Sequence, residues 1–95
     1  MERFEILQRT RTYIADNFLY TRPDLHVDPS DSLLDSGILD SMGIMELVAF
    51  LQEEFGIPVD DDEITEENLD SLNAIVEFVA RKQAVTLPIA SALAN

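Results

Sequence analysis

Asp40-Ser41-Met42-Gly43-Ile44-Met45-Glu46-Leu47-Val48-Ala49-Phe50-Leu51-Gln52-Glu53-Glu54-Phe55-Gly56 is the stretch that decides the fold. With successive side chains turned by about 100°, Ile44, Leu47, Val48, Leu51 and Phe55 fall within an arc of about 100°. That is the core stripe of an amphipathic helix. Asp and Ser at the head of the stretch are preferred helix caps, because their short side chains accept hydrogen bonds from the first free N–H groups. Gly56 supplies the residue that most readily leaves a helix in the left-handed conformation. The spacing therefore predicts a helix over residues 41–55.

Two further helical patterns flank it. Ile6, Leu7, Tyr13, Ile14 and Phe18 share an arc of about 140°, which predicts a first helix over about residues 3–19. Arg11 sits just off that stripe and Phe4 falls outside it. Downstream, Thr65 is placed to cap a short helix, with Ile64 and Leu69 as its hydrophobic staple. A last helix starts at Asp70 or Ser71, buries Leu72, Ile75, Val76 and Val79, and ends near Arg81-Lys82, where basic residues suit a C-terminus. Residues 21–40 read as a long loop, with Pro23, Pro29, Asp24, Asp28, Ser30, Asp31, Asp35 and Gly37 supplying turn chemistry. Its apolar residues Leu25, Val27, Leu33, Leu34, Ile38 and Leu39 predict that it packs over the bundle. No segment alternates as a strand would. The expected fold is all-α: a small antiparallel four-helix bundle of three main helices and one short one, with a long first loop. Residues 1–83 form the domain. Residues 84–95 are uncharged, interrupted by Pro88, and read as a C-terminal tail, either frayed or laid over the bundle.

Composition narrows the function. The 95 residues hold 6 Lys and Arg against 19 Asp and Glu, a formal net charge of −13. Such a chain repels nucleic acid and anionic lipid headgroups and suits basic protein surfaces. There is no cysteine, which excludes disulfides, thiolate metal sites and a cysteine nucleophile. Met1-Glu2-Arg3-Phe4-Glu5 carries charge where a signal peptide needs an apolar run, and no stretch is apolar enough to span a bilayer. The expectation is a cytoplasmic protein without membrane insertion.

Catalytic chemistry finds little to use. His26 is the single histidine, and it reads as a surface or loop-packing residue in a proline-rich segment. Asp60-Asp61-Asp62-Glu63 lacks the alternating ligands and central glycine of a calcium loop, and reads as a solvated turn ahead of a helix. No metal site is expected. Ser41 beside Asp40 at a helix start has no general base, so a hydrolase reading fails. The opposite face of the second helix is unusual, however. Met42, Met45 and Ala49 lie within about 60° of one another, flanked by Glu46 and Glu53. A merely solvated face has no use for two methionines, whose flexible thioethers adapt to varied partners. This face reads as a docking surface.

The run from Asp40 to Ile57 resembles the Asp-Ser-Leu helix of acyl and peptidyl carrier proteins. The resemblance covers about residues 4–82 and rests on Asp40-Ser41, Glu46-Leu47 at the expected offset, Glu53-Glu54-Phe55-Gly56-Ile57, the helix order and the acidity. It implies that Ser41 receives 4′-phosphopantetheine from coenzyme A through a phosphopantetheinyl transferase. Asp40 would cap the helix and help to position that transferase and its magnesium ion. The chain would be a non-enzymatic carrier, typically a monomer, loaded by an AMP-forming ligase or an acyl transferase and unloaded by a tailoring or transfer enzyme. Met42 stands where fatty-acid carriers usually have Leu, and Gly37 lies four residues before the serine where three is commonest. Gly43, in this reading, removes a polar side chain beside the arm. Gly37-Ile38-Leu39-Asp40-Ser41-Met42 looks closer to discrete aminoacyl and D-alanyl carriers, which implies an aminoacyl or short acyl cargo. A fatty-acid or polyketide carrier is the alternative within the family. An unmodified acidic adaptor that binds a basic protein is the alternative of another class.

Overall fold

The computed structural model describes residues 1–19 and 27–94, with side chains through residue 85. His26 and Leu25 lie outside the described residues. Four α-helices are present among those described: α1 (Arg3–Phe18), α2 (Ser41–Phe55), α3 (Glu66–Leu69) and α4 (Leu72–Ala94), with a single 3₁₀ turn at Asp61–Glu63 between α2 and α3. None of them is long and apolar enough to cross a membrane.

The stripes seen in the sequence become the core. Ile6 and Ile14 of α1, Leu47, Val48, Leu51 and Phe55 of α2, and Leu72, Ile75, Val76 and Val79 of α4 are all buried. Leu7, Tyr13 and Phe18 are half-buried at the edge of the same cluster, and Phe4 is 70% exposed. Four buried positions among the described residues fall outside the predicted core: Thr10, Gly43, Ile57 and Phe78. Thr10 is fully buried in α1, and Phe78 joins the α4 face.

Contacts running in opposite chain directions show how the helices lie. Arg9 pairs with Glu54 at 3.3 Å, Tyr13 stacks on Phe50 with ring centroids 4.1 Å apart, and Phe18 abuts Gly43. As α1 advances α2 recedes, so the two are antiparallel. The same holds against α4. Met1 and Arg3 border Ala84 and Ala80, while Leu7 borders Asn73 and Val76. Arg3 also reaches Glu77 at 2.6 Å, an exposed pair whose contribution is at most about 1 kcal/mol.

The described part of the long loop, residues 27–40, packs down as expected, with Val27, Leu33, Ile38 and Leu39 buried. Gly37 turns the chain at φ 78, and Gly56 ends α2 at φ 64; both lie in the left-handed region that favours glycine. The end of α4 differs from expectation. The helix does not stop near Arg81-Lys82 but continues to Ala94. The basic pair is engaged sideways instead: Arg81 donates to Asn68 Oδ1 at 3.1 Å and Lys82 to Glu63 at 2.9 Å. Beyond it, alanines and leucines favour a helix, but Pro88 lies inside the same stretch and opposes one, so local propensity does not account for the extension.

Candidate functional site

The site begins with a cap. Asp40 has extended backbone dihedrals, and its Oδ1 accepts a hydrogen bond from the Gly43 N–H at 2.7 Å. Ser41 is the first residue of α2 and is exposed. Between the two candidate caps, Asp40 therefore does the capping and leaves the Ser41 side chain to solvent. The N–H groups of Ser41 and Met42 have no intrahelical acceptor by position, and the positive end of the helix dipole lies here. A phosphate ester on Ser41 would meet both.

Beside the hydroxyl lies a groove of about 270 Å³, bounded by Leu34 of the loop, Ile44 and Met45 of α2, Ile64 and Thr65 before α3, and Asp70 after it. Ile44, read from the sequence as core, is only half-buried, and forms the wall between core and groove. Gly43 also has a different role from the one expected. It is buried, and a Cβ there would lie 3.1 Å from Phe18 Cε1, 3.2 Å from Leu39 Cδ2 and 3.3 Å from Asp40 Oδ1. Its missing side chain makes room for α1 and the loop rather than for an arm.

Asp70 carries a job that the sequence did not disclose. Ser71 caps α4, accepting from Ala74 N–H at 3.1 Å, and leaves Asp70 free for the loop. The Asp70 carboxylate accepts from Ser32 Oγ at 2.6 Å and from Leu34 N–H at 2.9 Å, and its backbone carbonyl accepts from Leu33 N–H at 2.7 Å. The Leu33 carbonyl in turn accepts from Ile38 and Leu39, both at 3.0 Å. No local pattern signals this, since the partners lie 36 to 38 residues away in sequence.

The expected docking face is exposed. Met42 and Met45 are 75% and 55% exposed, and Glu46, Ala49 and Glu53 are open beside them. Among the described residues, no ion pair neutralises Glu46 or Glu53. Burial, and after it the Glu46 charge, holds the Tyr13 hydroxyl above its ordinary pKa, so Tyr13 stays neutral against Phe50.

The acidic run after α2 is folded back on itself. Glu63 accepts from the Asp60 N–H at 2.9 Å and from Lys82 Nζ through both oxygens, at 2.9 and 3.1 Å. First the Asp60 N–H and then Lys82 hold its carboxyl below the usual carboxylate range. Among the described residues, no group of three or more acidic or histidine side chains is placed to hold a metal ion.

Residues 10–79 match the protein family described as "Phosphopantetheine attachment site". The acyl carrier protein of Thermosynechococcus vestitus is 32% identical over 84 residues, covering 88% of this chain and 99% of that protein. The D-alanyl carrier protein of Abiotrophia defectiva is 32% identical over 63 residues, 66% of this chain and 75% of its own length. That of Streptococcus uberis is 40% identical over 53 residues, 56% of this chain and 67% of its own.

Proposed function

The chain belongs to the family of carrier proteins that bear covalent 4′-phosphopantetheine, and from that premise we propose that Ser41 is the residue that takes the arm. The carrying observation is an exposed serine at a helix N-terminus whose cap is supplied by its neighbour. The free N–H groups of that turn stabilise the added phosphate charge. When attached, the arm supplies the thiol that a cysteine-free chain lacks. Asp40 holds the first turn in place, and Met42, Met45, Ala49, Glu46 and Glu53 form the face that the transferase, the loading enzyme and the receiving enzyme share.

The cargo in this reading is an aminoacyl or short acyl group, loaded by an AMP-forming ligase or an acyl transferase. Likeness to D-alanyl carrier proteins supports it. A fatty-acid or polyketide carrier is the second reading, favoured by the likeness to an acyl carrier protein over nearly the whole chain.

Incubation of the wild type and Ser41→Ala with coenzyme A and a broad-specificity phosphopantetheinyl transferase, followed by intact mass measurement, tests the attachment. Because Ser41 is not the cap, the variant should lose less than about 0.5 kcal/mol of stability and all of the modification. A modified alanine variant, or a wild type that never gains mass, would overturn the reading. Loading the modified protein with a panel of amino-acid ligases and acyl transferases then decides the cargo. Efficient malonyl loading followed by chain extension, with no aminoacyl loading by any ligase, would select the second reading.

A further inference from the structure

We propose that Asp70 is a positioning residue for Ser41, acting through the first loop. The inference rests on Ser41 being the attachment residue. Three loop groups converge on this one residue: Ser32 Oγ and Leu34 N–H on its two carboxylate oxygens, and Leu33 N–H on its backbone carbonyl. A fourth bond, from Asn73 N–H to the Pro29 carbonyl at 2.9 Å, ties the same loop to the first turn of α4.

The loop then transmits that anchor to α2. Leu33, fully buried, accepts from Ile38 and Leu39, so its position fixes the two residues that lead into Asp40. Leu39 lies under the first turn, its Cδ2 3.2 Å from where a Gly43 Cβ would be. Leu34, held by Asp70 Oδ1, lines the same groove as Ser41, and so does Asp70 itself. Asp70 is only half-buried, so desolvation takes little of the value of these bonds. Its placement joins the end of α3, the start of α4, the loop and the α2 N-terminus.

The bonds require two acceptors from the side chain, one of which receives from a hydroxyl that can rotate. An amide can meet that demand. Its oxygen accepts from Leu34, and its NH₂ donates to Ser32 Oγ once the hydroxyl has turned. Asp70→Asn should therefore behave as the wild type, whereas Asp70→Ala releases both contacts. A loosened first turn displaces Ser41 relative to the docking face further along α2, which the partner still grips. The loss should fall on kcat of arm transfer, with KM little changed.

The test is steady-state transfer of the arm from coenzyme A to Ser41 by a broad-specificity transferase, well below the melting temperature. Asp70→Ala should lower kcat about tenfold, the scale expected when a reacting group is misplaced by a fraction of an ångström, and Asp70→Asn should restore it. Val76→Ala, a core cavity at a residue that lines the groove of Arg3 and Leu7 and not the one beside Ser41, serves as the control for stability alone. Equal kcat for Asp70→Ala and wild type would overturn the proposal. So would a matching loss in Val76→Ala, or a loss that appears only in KM. If Asp70→Ala fails to fold, Asp70→Ser, whose single hydroxyl cannot serve both Ser32 and Leu34, carries the test, and a kcat equal to wild type overturns the proposal there. A wild type that is never modified would instead refute the attachment reading, so the two failures are distinct.

Discussion

Gly43 and Phe18 meet where α2 begins and α1 ends, with 3.1 Å between Phe18 Cε1 and the position of an added Cβ. Leu39 and the capping carboxylate of Asp40 crowd the same point from the other sides. An alanine in a helix gains about 1 kcal/mol over glycine from propensity alone. Here the new methyl has three neighbours to displace at once, and overpacking of that kind costs roughly 1–3 kcal/mol. Gly43→Ala should therefore be destabilised by about 1 kcal/mol in urea unfolding, against the trend for exposed helix positions. It should also disturb the Asp40 bond and slow arm transfer to Ser41. A variant more stable than the wild type would mean that the Phe18 ring simply moves aside.

The cap itself gives a cleaner comparison. Asp40 Oδ1 to Gly43 N–H is the side-chain bond that satisfies the first turn of α2. Asp40→Ala should cost about 1 kcal/mol, and Asp40→Asn only a few tenths, because the amide oxygen accepts the same bond. Chemical denaturation of both variants measures the difference. Equal losses would assign the role of Asp40 to its charge rather than to its acceptor.

What the sequence made legible follows the range of the interactions. The stripes of α1 and α2 and the exit at Gly56 are set by residues within one or two turns of each other, and local periodicity finds them. Thr65 was legible for the same reason, its Oγ1 accepting from Asn68 N–H three residues on. Asp70 was not. As a local cap it looked interchangeable with Ser71, and only the folded chain brings Ser32 and Leu34 to its carboxylate. The end of α4 failed in a related way. Arg81 and Lys82 look like a favourable C-terminus, yet their partners are Asn68 and Glu63 across the bundle. Thr10 was missed because a hydroxyl does not count toward an apolar stripe, although its position on α1 faces the core. For Ser41 the local pattern placed the residue at the α2 N-terminus but not the groove beside it, which depends on Leu34, Ile64 and Asp70.

Glu46 is exposed, bears no ion pair among the described residues, and adjoins the open methionines of α2. Charges of this kind act on encounter rather than on the strength of the final contact. Glu46→Lys should slow arm transfer and loading on the order of tenfold at low salt, mostly through the association step. Raising the salt should narrow that gap, since screening acts within about 10 Å at 0.1 M. Rates that are indifferent to both the substitution and salt would leave this face without a docking role.

Glu63 predicts how acid acts on the wall of the groove. Its carboxylate is held by the Asp60 N–H and by Lys82, so protonation is harder in the folded chain than in the unfolded one. A carboxyl with a lowered folded pKa contributes stability above its unfolded pKa and loses it as pH falls through the folded value. Acidification acts in the opposite sense on the chain as a whole, because it discharges a protein with a net charge of −13 and relieves its repulsion. The absolute acid limb therefore mixes two signs. The difference between wild type and Glu63→Gln isolates one of them, since the other carboxylates are common to both proteins. Near neutral pH the wild type should be the more stable. The two curves should converge as pH falls through and below the ordinary carboxylate range. Urea unfolding of both proteins across that range measures the difference. A gap that is constant with pH would show that the ionisation of Glu63 contributes nothing to holding Ile64 and Thr65 against the bundle.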